Sequence, residues 1–350
     1  MGVNDLLRAP LHVFAFTDGD RESLEKSASG GAFAALARQV LREGGIVFGA
    51  AAEDDGLVHQ VHIDSIGDLP RLQGSKYAWS KLEASYDECI ECLQDERTVL
   101  YSGVPCQIAG LRMRVESSAL TDEQKDRLVT CDLICHGTPR TELFQAYISW
   151  LSKRHNADDG IHSYQFRTKA YGWGIYYYHY CYFENGIKHE VYGSAGDDPY
   201  YYAFSRAATY RQACYQCRYA RRERVGDLTL GDYWGVRKST PKAYDPKGVS
   251  AILVNTQKGG SFLNKAASDC SITEVPYDKV NEQQTNLSRP SRRIPKDEDV
   301  AEQIDALLKN GNSDEIFERL LPVDQGRNAR LRRALPSFAL KLLYRLRNNA

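Results

Sequence analysis

Apolar side chains recur at helical spacing from Ser29 to Glu43 (Phe33, Leu36, Val40, Leu41), and the run stops at Gly44-Gly45, so the pattern predicts a helix over 29–43. The apolar run IVFGAAAE follows at once and reads as a strand, and LVHQVHID reads as a second. A helix is expected from about 83 to 94, ahead of the strand TVLYSG. Another short buried strand, LVTCDLIC, precedes a helix over LFQAYISWLSKR that is entered through Thr138-Pro139. Strand and helix alternate through this half, as an α/β domain requires.

From about 161 to 193 the period changes to aromatic alternation (HSYQFRTK, GWGIYYYHYCYFENG, IKHEVYG), which predicts antiparallel hairpins with a tight turn at Asn185-Gly186. A short strand ending at Gly231-Asp232, a strand SAILVNT and a helix-like GGSFLNKAA come next. A polar linker begins near 291 and leads to a helical EDVAEQIDALLKN and a basic tail. The expected fold is therefore an N-terminal α/β domain (1–118), a mixed α+β domain with antiparallel hairpins (119–290) and a C-terminal helical tail (291–350).

Composition narrows the function classes. The 350 residues are 42% hydrophobic and 26% charged, normal for a globular chain with a real core. Lys plus Arg (45) nearly cancels Asp plus Glu (46), so no overall field favours nucleic acid, and none is expected as a partner. The N-terminus carries no secretory pattern and no stretch reaches the length of an apolar membrane span, so a cytoplasmic location is expected. In that reducing compartment nine cysteines read as packing residues, ligands or redox groups rather than disulfides.

Four of the nine stand in loops rich in Gly, Pro, His or aromatic residues: Cys106 in GVPCQ, Cys135 in CDLICHG, and Cys214 with Cys217 in ACYQCRYARR. Cys106 and Cys135 each lie just past the carboxyl end of an expected buried strand, the edge where α/β sheets place functional groups. Four thiolates suffice for one cubane iron-sulfur cluster, yet zinc takes the same set, and a CxxC beside arginines is also a thiol redox pair. Spacing alone leaves these alternatives open. Cys89 and Cys92 fall inside a helical pattern, Cys131 and Cys181 inside strands, and Cys270 near a helix end; all five read as packing residues.

Other groups bear on ligands. Ser29, Gly30 and Gly31 open the first helix, where free amides and the positive dipole end suit a phosphate, although a capped helix start explains the same residues. Arg167, Lys169, Gly172 and Trp173 in FRTKAYGW combine cations with an indole plane, a seat for a flavin phosphate or a planar anion as well as an ordinary strand surface. His136 beside Cys135 is either a proton relay or a structural turn residue. The arginines 218, 221, 222 and 224 beyond the CxxC suit an acidic electron carrier or a solvated charge run. The tail from Arg327 to Arg347 has basic but no acidic residues around an apolar stripe (Leu331, Leu335, Phe338, Leu342, Leu346). Packing on the body and peripheral contact with a membrane surface are both consistent with it, and Pro336 interrupts the stripe.

The ordered set SASGGAFAALARQVLREGGIVFGAA, GSKYAWS, VLYSGVPCQIAGL, CDLICHGTPR, FRTKAYGW and CYQCRYARRERVGDLTLGDYWGV resembles the beta-subunit family of coenzyme F420 hydrogenases and dehydrogenases, over about 27 to 255. The resemblance implies an FAD-binding α/β protein with a 4Fe-4S cluster, because flavin converts a two-electron hydride into the single electrons that a cluster accepts. It implies Cys106, Cys135, Cys214 and Cys217 as cluster ligands. It further implies a flavin site made by Ser29, Gly30 and Gly31 at the phosphate and by Ser75, Lys76 and Tyr77 near the ring or its phosphates, with Arg167 and Lys169 completing the pocket. Many relatives begin with a CxxC-rich ferredoxin-like stretch, whereas the first 88 residues here have no cysteine. A separate ferredoxin-like carrier or partner subunit is therefore expected.

The expected function is an iron-sulfur flavoprotein oxidoreductase, with FAD exchanging hydride with coenzyme F420 or another small redox substrate. The competing expectation is a non-redox accessory protein of polysaccharide biosynthesis whose cysteines hold zinc or nothing.

Overall fold

The apolar runs of the sequence become strands that are covered on both faces. The computed structural model describes residues 2–174, 176–293 and 299–326. Its large sheet has eight strands: β1 (His12–Thr17), β2 (Ile46–Ala52), β3 (Val58–Ile63), β4 (Val99–Gly103), β5 (Leu128–Leu133), β9 (Leu228–Asp232), β10 (Ser250–Val254) and β11 (Ser271–Glu274). Across the sheet they stand in the order β11-β1-β10-β9-β5-β4-β2-β3. The central pairs β2/β4, β4/β5 and β5/β9 are parallel, and the outer pairs are antiparallel. Parallel strands need cover on both sides, which is why β4 (VLYSG) is buried at every position.

The eight helices that matter to the site are α1 (Arg21–Lys26), α2 (Ala32–Arg42), α3 (Ser85–Gln94), α4 (Pro105–Glu116), α5 (Thr141–Arg154), α6 (Pro199–Ser205), α7 (Gln257–Ala266) and α8 (Val300–Lys309). On one sheet face α2 and α7 bury Leu36, Val40 and Leu263 against Val47, Leu100 and Ile252. On the other, α3 and α4 bury Cys89, Leu93, Ile108 and Leu111 against Phe48, Val99 and Tyr101. Each fully buried aliphatic side chain of this kind contributes roughly 1.5–3 kcal/mol.

A second, antiparallel sheet consists of β6 (Ile161–Gln165), β7 (Tyr177–Glu184) and β8 (Ile187–Ser194). Its β7–β8 turn falls on Asn185-Gly186, both with positive φ (52° and 74°), as a type I′ turn demands. With α5 and α6 it encloses an aromatic core of Phe144, Tyr147, Trp150, Tyr200, Tyr201 and Phe204. Asp198 is buried in that core, caps α6 by accepting from Tyr201 N at 2.6 Å, and accepts a further hydrogen bond from the Tyr147 hydroxyl.

The α/β reading, the hairpins and the helix α8 all follow the expected pattern. Five of these strands and helices escaped it: β1, α1, β11, α4 and α6. The strands β1 and β11 lie at one margin of the sheet, and β1 is recruited by antiparallel pairing with β10 and β11, partners more than 200 residues away along the chain. Helix α4 begins at Pro105, so Cys106 occupies its first turn rather than a loop. Residues 118–119 fall between β4 and β5, which are neighbours in the sheet, so one sheet draws strands from both sides of that point. The tail from Arg327, with its expected helix and membrane contact, lies outside the described residues. Among the described residues no helix is long and apolar enough to cross a membrane.

Gly30 sits where the loop before α2 crosses β1 and β10. A Cβ there would fall 2.2 Å from Phe16 O and 2.3 Å from Ser250 N, both backbone atoms of those strands. We expect Gly30→Ala to destabilise the chain by about 1–3 kcal/mol through overpacking. A thermal melt of the variant should show a midpoint several degrees lower.

Candidate functional site

Because β4, β5 and β9 run parallel, their carboxyl ends reach the same edge of the sheet, and the loops that follow them meet there. The loop after β4 turns through Val104 into α4 and presents Cys106 one residue after the N1 proline. The loop after β5 carries Cys135, His136 and Gly137. Gly137 has φ +124°, and a Cβ on it would lie 2.2 Å from the Tyr210 ring, so only glycine lets that ring close over the loop. His136 makes a 3.2 Å hydrogen bond with Gln284 Oε1.

Cys214 and Cys217 come from a short 3-10 turn (Gln212–Gln216) outside the sheet. Cys214 N donates to Arg211 O at 2.8 Å, and the Tyr215 hydroxyl donates to Ala207 O while accepting from Tyr210 N. Two guanidinium groups flank the turn: Arg211 lies 3.7 Å over the Trp79 ring and Arg293 4.3 Å over Tyr215.

The four thiols form one electrostatic group. Burial, then Cys217 and Cys214, push the Cys106 thiol up to about 11, although Arg211 opposes this and Cys106 is the most exposed of the four. Burial raises Cys135 too, and Cys106, Cys214 and Cys217 all add to the rise. Burial and Cys214 raise Cys217. Four mutually repelling sulfur ligands are stable as thiolates only when a metal takes up their charge, so this donor set fits a thiophilic metal centre. Among the described residues no three His, Cys, Asp or Glu side chains close on a point tightly enough to hold a single ion. A cluster asks for a wider spread, since each thiolate binds a different iron. By contrast, Cys89 and Cys131 are fully buried in the core, Cys181 is buried in β7, and Cys92 and Cys270 are half-buried elsewhere.

Against this group lies a cavity of about 450 Å³. Its walls include Ser29, Gly31, Ser75, Lys76, Tyr77 and Arg167, six of the eight residues expected to hold a cofactor. Helix α2 starts at the wall from Gly31, which has φ +78° and leaves the helix without a side-chain cap, so its leading amides are available to an anion. Tyr77 stacks on Phe204 at 4.2 Å. Arg167 pairs with Asp232 at 2.7 Å beside the neighbouring Tyr176 and Trp234 rings, and the Trp173 indole donates to the same carboxylate at 3.2 Å. Phosphate-binding amides, cations and ring surfaces in one cavity suit a ligand with both a phosphate and a planar ring, so the residues present fit a flavin nucleotide.

The other two expected residues do not line it. Gly30 packs against Phe16 and Ser250, as described above. Lys169 donates its Nζ hydrogens to Leu24 O (2.5 Å) and Ser29 O (2.7 Å), which ties the β6–β7 connection to the loop before α2. Some cavity residues had no role assigned from sequence. Asp232 and Trp234 stand at the end of an expected strand, and Gln107 stands beside Cys106, so proximity to a motif was a usable signal for these. Gln60, Ser80 and Gln107 form a buried polar wall (Gln107 Nε2 to Ser80 O at 2.9 Å, Gln60 Nε2 to Ser80 Oγ at 3.2 Å). Ser80 closes the motif GSKYAWS, which was a usable signal, whereas nothing in the local pattern around Gln60 marks it.

Cys135 belongs to both features. It is one of the four thiols and also part of the cavity wall.

Residues 96–280 match the family model that describes the C terminus of the coenzyme F420 hydrogenase/dehydrogenase beta subunit. That span contains all four clustered cysteines. No curated protein matches the chain. Among solved structures, a chain of the F420-reducing NiFe hydrogenase complex from Methanosarcina barkeri, determined in a xenon derivatization, aligns at 18% identity with a TM-score of 0.49. The alignment covers 91% of this chain and 95% of that chain.

Lys76 offers a pH-dependent handle on the cavity. Its ammonium donates to Gln73 O (2.7 Å) and Arg71 O (3.0 Å), and burial lowers its pKa to about 7. Below pH 7 the group is charged and attracts a phosphate; above it the attraction fades. FAD titrated into the apoprotein and followed by flavin fluorescence should therefore bind more tightly at pH 6 than at pH 8.5. Lys76→Met should bind more weakly at pH 6 and lose that dependence.

Proposed function

The chain belongs to the coenzyme F420 hydrogenase/dehydrogenase beta-subunit family, and from that membership we propose that it is an iron-sulfur flavoprotein oxidoreductase. In this reading Cys106, Cys135, Cys214 and Cys217 hold a 4Fe-4S cluster, and the adjacent cavity holds FAD. The flavin, when bound, supplies the exchange between a hydride and single electrons. Coenzyme F420 or another small redox substrate is the hydride partner. A ferredoxin-like carrier or partner subunit is the electron partner.

One observation carries this reading: Cys135 sits in the wall between the four-thiol group and the cavity, so a cluster ligand would border the flavin's own pocket. The protein's residues do the positioning. The uncapped start of α2, with Ser29 and Gly31, receives the phosphates, and Lys76 adds charge to them. Tyr77, held by Phe204, and the Tyr176 and Trp234 rings beside Arg167 supply flat apolar surface for a ring system. Gly137 lets Tyr210 approach Cys135 and keep water from that side.

Anaerobic purification tests the proposal. The expected product is brown-yellow with about four irons and one flavin per chain; a colourless protein that carries zinc and no flavin would overturn it and favour the accessory-protein alternative. Cys214→Ser should lose iron, whereas Cys89→Ser, which alters a thiol buried against Leu93 and Tyr101, should retain it. Equal loss from both variants contradicts the ligand assignment.

A further inference from the structure

Arg224 is buried in the interior, with only 2% of its surface accessible, and its partner Asp132 has none. A guanidinium so deep is tolerated only if its donors are matched, and here they are. Nε and Nη2 donate to Asp132 Oδ1 at 3.3 and 2.9 Å, and Nη2 also donates to Leu133 O at 3.0 Å. Nη1 donates to Tyr219 O at 2.9 Å and Arg221 O at 3.3 Å, while Nε is shared with Thr229 Oγ1 at 3.3 Å. The other carboxylate oxygen of Asp132 accepts from Val225 N (3.1 Å) and Gly226 N (2.9 Å).

These contacts have an address. Asp132 and Leu133 end β5 and lead directly into Cys135. Tyr219 and Arg221 are the chain just leaving Cys217. A single ion pair therefore ties the segment after the CxxC turn to the strand end before Cys135. Burying such a pair contributes little net stability, because desolvation offsets the attraction, and apolar packing of equal volume would stabilise as well. What the pair adds is direction: five fixed N–H vectors set where two segments lie relative to each other. Neither residue lines the cavity, and neither carries a thiol.

We propose that Arg224 and Asp132 are positioning residues for the four-thiol centre, setting the spacing between Cys135 and the Cys214/Cys217 turn. The proposal rests on the reading of that centre as a cluster site. Residues that orient metal ligands typically change metal affinity about 10- to 100-fold when replaced. The effect should fall on the metal and leave the flavin cavity intact, a separation that a purely structural role would not produce.

The test uses the full chain purified anaerobically, with iron per chain, flavin per chain and the rate of iron loss to a chelator as readouts. Arg224→Lys keeps a cation beside Asp132 but lacks the fork that reaches Tyr219, Arg221 and Leu133. Thr229→Val removes one acceptor of Arg224, an oxygen that Asn255 Nδ2 also donates to at 2.9 Å. Leu263→Ala, in the core under α7, is a control for general destabilisation. We expect Arg224→Lys to lose iron about 10-fold faster than wild type with flavin unchanged, Thr229→Val to shift the same way by less, and Leu263→Ala to keep both despite a lower melting point. Iron retention like wild type in Arg224→Lys overturns the proposal, as does parallel loss of iron and flavin. If Arg224→Lys is insoluble, Thr229→Val decides by the same criteria. A wild-type chain that binds no iron would instead overturn the cluster reading itself.

Discussion

Parallel pairing of β4, β5 and β9 is the constraint from which the rest of the molecule follows. Parallel neighbours deliver their carboxyl ends to one edge, so the loops carrying Cys106, Cys135 and the Asp232–Trp234 segment have to meet there. An antiparallel β5 would send Cys135 to the opposite edge, and the thiol group would not exist. The cover over both sheet faces, from α2 and α7 on one side and α3 and α4 on the other, keeps that pairing dry and fixed.

The sheet brings together only half of the thiols. The other two arrive on a turn with no strand to hold it, and side-chain interactions do the work of a ladder. Arg224 with Asp132 anchors the exit from the turn, while Tyr215, Arg211 and Arg293 hold its body through hydrogen bonds and ring contacts. A comparable arrangement serves the cavity, where Arg167 with Asp232 sits beside aromatic rings and Lys169 ties down the loop before α2. Polar groups buried at this density give specific geometry more than stability.

The large aromatic content has a structural use beside the site. Tyr147, Tyr200, Tyr201 and Phe204 make a core that ends at the cavity wall. Rigid rings with few torsions hold such a wall at low entropic cost. Of these rings Tyr201 and Phe204 line the cavity, which joins the stability of the second sheet to the form of the site.

Local pattern was enough to reveal the alternation of strand and helix, the Asn185-Gly186 hairpin, the motif cysteines and six of the residues that line the cavity, because period, turn chemistry and motif order are properties of short stretches of chain. It could not reveal β1 and β11, whose strand character depends on distant partners, nor the helical start at Pro105 that carries Cys106. It also could not separate Ser29 and Gly31, which face the cavity, from Gly30, which a neighbouring strand's backbone requires, or from Lys169, which does not line the cavity and donates to Leu24 O and Ser29 O. Gln60 carries no signal in one dimension. The sequence by itself marked Cys106, Cys135, Cys214 and Cys217 by their motifs; only the tertiary structure decided that Cys135 lines the cavity and that the segments carrying Cys106 and Cys135 reach one edge of the sheet, because that meeting is a property of parallel strand ends and is not written in any local run of residues.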